Sequence, residues 1–98
     1  MSDAPVFALK VDEIVPNHGP KGTAVRFVIL GTQLKGAKVT FSEQGGSTSS
    51  DATDVTYSTC STGDWIAGDT PSWTKSGEVD VTVTPPSGVP QPLTFTFD

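Results

Sequence analysis

The stretch VPNHGPKGTAV, residues 15–25, sets two prolines, two glycines and a histidine between apolar runs. Proline has no N–H for a central ladder, so Pro16 closes a strand. Gly19-Pro20 suits a tight reversal, and Gly22 permits a backbone angle that a side chain forbids. Thr23 then opens TAVRFVIL (23–30), in which Val25, Phe27 and Ile29 share one face and Arg26 lies on the other. Val28 and Leu30 make that second face apolar near its end, which marks it for local cover. The punctuation is therefore structural: it delivers a strand to the core in register. His18 reads as an exposed turn residue with no chemical duty.

Working outward, the same period of two recurs. AKVTF (37–41) points Val39 and Phe41 one way, EVDVTVT (78–84) does so with Val79, Val81 and Val83, and LTFTF (93–97) with Leu93, Phe95 and Phe97. FALKVDEI (7–14), DVTYS (54–58) and DWIAG (64–68) are further strand candidates. Ser and Thr supply 24 of the 98 residues, and Val is the commonest large apolar type. Such β-branched chemistry suits a pleated surface, and no window carries a helical stripe. Turns fall at GTQLKG (31–36), TPSWTKSG (70–77) and PPSGVPQP (85–92). EQGGSTSSDAT (43–53) reads as a long, mobile connection. Seven short strands with Gly/Pro turns predict an all-β sandwich, as one domain over residues 1–98.

The formal charge of -5 is uneven: residues 1–42 sum to +2 and residues 43–98 to -7. That acidic half disfavours nucleic acid and an anionic membrane surface as partners. No apolar run reaches the roughly 20 residues of a membrane-spanning helix, so no membrane insertion is expected. MSDAPVFALKVDE lacks a basic segment followed by an apolar one, so no signal peptide is expected in it. Cys60 stands alone, which argues against a disulfide framework and a cysteine-based metal site.

The order of features resembles an IPT/TIG domain. The resemblance rests on VDEIVP (11–16), Gly19-Pro20, Gly22-Thr23, the strand ending in Gly31, then Leu34, Val39 and Phe41. Further on it rests on Pro71, Ser76-Gly77 with the valine strand, Ser87-Gly88 and FTF at 95–97. Lys21 and Ser42 stand where the family usually shows glycine, and the 43–53 loop is long. The resemblance implies an immunoglobulin-like β-sandwich of about seven strands, of the early set E type. It also implies a non-catalytic spacer or protein-interaction module in an exported, cell-surface or particle-associated assembly. The expected partner is another protein or another domain of the same chain, with a homodimer as a further option.

Three sets of residues offer either a site or a structural role. Tyr57, Trp65 and Trp73 could form a stacking platform for sugar rings, giving a carbohydrate-binding accessory module. Of the two tryptophans, Trp65 inside a strand is the core candidate and Trp73 in the 70–77 turn is the exposed one. Glu43, Asp51 and Asp54 gather around the Ser-rich loop as a calcium candidate set, against a plain reading as solvated carboxylates. His18 has no second His or nearby Cys for a triad or a zinc site. There is no G-x-S-x-G elbow, P-loop or dinucleotide fingerprint. No enzyme activity and no cofactor are expected.

Overall fold

The structure, a computed structural model, describes residues 9–61, 63–86 and 89–98. Phe7 and Ala8 of the first expected strand, and Ser87-Gly88 of the 85–92 turn, lie outside the described residues. The described chain forms nine strands: β1 Lys10–Val15, β2 His18–Gly19, β3 Arg26–Thr32, β4 Lys38–Glu43, β5 Ser49–Asp51, β6 Thr53–Cys60, β7 Gly63–Asp69, β8 Gly77–Thr84 and β9 Gln91–Phe97. All seven expected strands are present. The two additions are the shortest elements, β2 and β5. β5 lies inside the 43–53 segment read as a mobile connection and pairs with β4 through Ser42–Ser49, Phe41–Ser50 and Thr40–Asp51.

The strands form a four-stranded sheet, β1-β3-β7-β6, and a five-stranded sheet, β2-β9-β8-β4-β5. Lettered in chain order, these are sheets ABED and GFC of an immunoglobulin-like sandwich, with one extra short strand at each edge of the second. The inward-facing residues are those the alternation selects. Phe27 and Ile29 of β3, Val39 and Phe41 of β4, Ile66 of β7, Val79, Val81 and Val83 of β8, and Phe95 and Phe97 of β9 form one buried cluster. Phe41 sits among the rings, with centroids 5.7 Å from Phe27, 5.9 Å from Phe95 and 6.4 Å from Phe97.

Residues 15–25 do more than turn. The chain leaves the four-stranded sheet at Val15, joins the other sheet at His18–Gly19, and returns to the first at Arg26. β2 runs parallel to β9. Its bonds include the Thr96 N–H to the Asn17 carbonyl (3.0 Å) and the Asp98 N–H to the Gly19 carbonyl (2.8 Å). Pro16 cannot extend the β1 ladder, and that is where the switch occurs. Gly22 has φ +79° and donates its N–H to the Trp73 carbonyl. Val25 is pinned next. Its N–H reaches the Thr70 hydroxyl at 2.9 Å and its carbonyl takes the Thr70 N–H at 2.9 Å. Thr70 is 1% exposed, so both halves of that exchange are sheltered from water. Gly31 answers a different need. β1 bulges between Val11 and Glu13 against β3, and a Cβ at Gly31 would run into the Lys10 carbonyl.

Candidate functional site

The aromatic platform is not assembled. Trp73, expected outside, is 5% exposed and stacks on Phe97 with centroids 5.8 Å apart and planes 8° from parallel. The 70–76 loop folds across the end of the sandwich and lays the indole on the last core ring. Beside it lies a cleft of only about 90 Å³, flanked by the Glu43–Lys75 ion pair at 2.7 Å. Trp65, expected inside, is only half-buried. Ile66 and Gly68 take the inward positions of β7, so Trp65 must face outward. Tyr57 pairs with Ile66, whereas Ser58 pairs with Trp65. Tyr57 and Trp65 therefore lie on opposite faces of the sheet.

Tyr57 is engaged in structure, although it is 40% exposed. Its hydroxyl donates to the Ala37 carbonyl at 2.6 Å. From another side Asp64 grips the same β3–β4 turn. Its carboxylate accepts the Thr59 hydroxyl at 2.7 Å and the Leu34 N–H at 3.2 Å. These donors, the Thr59 hydroxyl foremost and then the Leu34 and Gln33 backbone N–H groups, hold the Asp64 carboxyl below its ordinary value of 3.8. A folded value below the unfolded one means that this contribution is present above about pH 4 and fades as acid protonates the folded carboxylate. Asp64→Asn is expected to lower the urea midpoint at pH 7. The gap between parent and variant should close as the pH drops below 3.8; a gap constant from pH 7 to pH 2.5 would show that the charge is not what matters.

The calcium set does not converge. Glu43 pairs with Lys75 at 2.7 Å and Asp51 with Lys38 at 3.5 Å, while Asp54 lies on β6 in the other sheet. Among the described residues, no three His, Cys, Asp or Glu side chains are placed to hold a metal ion. His18 is an edge-strand residue rather than a turn residue, and its Nδ1 lies 3.0 Å from an Asp98 carboxylate oxygen. Both side chains are largely in solvent, where such a pair contributes little.

What the fold does assemble is an apolar stripe on the outer face of the four-stranded sheet. Directly opposed residues share a face, and two rows follow from the registers. One runs Val15, Val28, Ala67, Thr56, and the next Glu13, Leu30, Trp65, Ser58. Val15 is 47% and Leu30 37% exposed; Val28, Trp65 and Ala67 are half-buried. A third row begins with Arg26, 3.4 Å from Asp69. The Leu30–Trp65 row borders a groove of about 340 Å³ whose lining includes Asp12, Asp64 and the exposed Cys60. Val28 and Leu30 were visible in the sequence as an apolar second face. Val15 and Ala67 were not, because only pairing across strands puts them beside Val28.

No protein-family model matches the chain, and neither does any curated protein. Among solved structures, a protein of Bacteroides thetaiotaomicron VPI-5482 described as a "Putative phosphatase" is similar at 23% identity with a TM-score of 0.47. That similarity covers 92% of this chain and 18% of the other, so the chain spans under a fifth of that protein's length.

Proposed function

We propose that the chain is a non-catalytic immunoglobulin-like module of the IPT/TIG kind that acts by holding another protein or domain against its four-stranded sheet. The observation that carries this reading is the stripe of Val15, Val28, Leu30, Trp65 and Ala67 crossing three neighbouring strands of one outer face. Outward apolar side chains scattered singly need no explanation, but a contiguous set on one sheet face marks an interaction surface. The residues with chemical potential have structural duties instead: Asp64 and Tyr57 hold the β3–β4 turn, and Glu43 and Asp51 meet lysines. The resemblance set out above supports an exported, cell-surface or particle-associated setting.

The test is a photoreactive residue placed at Leu30 in the protein expressed in its native cells, with a second placed at Thr94. Thr94 pairs with Asp80 on the outer face of the other sheet. The Leu30 position is expected to give a discrete adduct and Thr94 none. Equal adducts from both faces, or none from either, would overturn the reading.

A further inference from the structure

The groove beside Leu30 and Trp65 has a definite chemical character. Leu30 and Trp65 supply apolar wall, and Asp12 and Asp64 belong to its lining. Glu13 stands opposite Leu30 on the same outer face. Among the described residues, no Lys or Arg lines the groove. Lys10 lies 3.9 Å from Asp12 with both side chains largely in solvent, a loose pairing. Arg26 is already committed to Asp69 and to the Asp54 carbonyl. Apolar surface is thus joined to the Asp12 carboxylate, with Glu13 nearby and no neutralising cation in the lining among the described residues, while the Asp64 carboxylate is held by the Thr59 hydroxyl and the Leu34 N–H. The complement of such a surface is a cation carried on an apolar stem.

The size of the face narrows the occupant. Four strands spaced about 4.8 Å, over about seven residues rising about 3.4 Å each, span roughly 450 Å². A standard stable interface buries about 800 Å² per partner. Two copies meeting here would fall short of that area and would bring together two chains of formal charge -5. A short extended segment needs less area.

Resting on the reading of this face as an interaction surface, we infer that the groove receives an arginine side chain from an extended segment of a protein partner. Its stem lies against Leu30, its guanidinium plane covers the Trp65 indole, and its charge faces Asp12 in the same groove, with Glu13 beyond Leu30 in the same row. Arginine suits the site better than lysine because its planar, weakly hydrated cation stacks on an indole while still bonding carboxylates.

The test is a titration of the isotope-labelled chain with the peptide acetyl-Leu-Arg-Leu-amide, followed by amide and indole N–H resonances. The citrulline peptide of the same shape is the neutral control. The arginine peptide is expected to shift Leu30, Gly31 and the Trp65 indole, and to bind about three- to tenfold more tightly than the control. That preference should vanish in a D12N/E13Q variant, whose spectrum reports directly that it is folded. Equal binding of both peptides at the groove would overturn the arginine assignment and leave the interaction face standing. Shifts confined to the other sheet, or none, would overturn the assignment too, with the Leu30 adduct deciding separately on the face. Concentration-dependent shifts of the same resonances without peptide would make a second copy the occupant and equally overturn it.

Discussion

Phe41→Ala is expected to remove about 3–5 kcal/mol of folding free energy, a large part of the roughly 5–15 kcal/mol that a domain of this size holds. The side chain is fully buried, and three other rings close around it. Phe27 and Phe95 meet it at 62° and 78° between planes. These edge-on arrangements add to the area term, so truncation removes the transfer energy and leaves a void that four strands cannot collapse into. Urea unfolding followed by tryptophan fluorescence reads the loss. Phe41→Leu, which keeps most of the volume, should recover more than half of it. A midpoint for Phe41→Ala within experimental error of the parent would mean that the two sheets are not held together at this point.

Trp73→Ala should cost a similar amount, about 3–5 kcal/mol, and it separates two roles for the same residue. A tryptophan on a sugar-binding surface can be cut to alanine with the stability nearly unchanged. A tryptophan laid on Phe97 at 5.8 Å cannot. The indole also anchors the loop that holds the chain before β3, where the Trp73 carbonyl accepts the Gly22 N–H and Thr70 bonds Val25. The emission maximum should move to longer wavelength, since the half-buried Trp65 becomes the sole emitter. Thermal unfolding and the emission spectrum of the one variant check both expectations. An unshifted spectrum with an unchanged unfolding temperature would return Trp73 to the surface.

The strands were legible because alternation is a local property. Val79, Val81 and Val83 announce their face without reference to any neighbour, and all three are buried. Trp65 and Trp73 depart from their expected places because those places depend on distant chain. DWIAGD offers two parities, Trp65 with Ala67 or Ile66 with Gly68. Gly68 decides between them: a Cβ there would meet Phe27 at 3.1 Å and Val55 at 3.2 Å. The glycine thus marks the inward parity, but only once β3 and β6 are known to flank it. Trp73 sits in a turn, where loop residues are normally exposed, and nothing within TPSWTKSG signals that Phe97 lies ready to receive its ring. His18–Gly19 and Ser49–Asp51 were missed as strands because each is held by bonds to a partner rather than by any period of its own. The outer-face stripe was half legible for the same reason: β3 carried two of its members, and the register with β1 and β7 supplied the rest.

The parallel pairing of β2 with β9 has a mechanical consequence. The two strands belong to opposite ends of the described chain and run in the same direction. Once β1 has come away from β3, tension between those ends drags the strands past each other along their length. The Asn17–Thr96 and Gly19–Asp98 bonds share that load and yield together, as rivets do in a lap joint, instead of opening one after another like a zip.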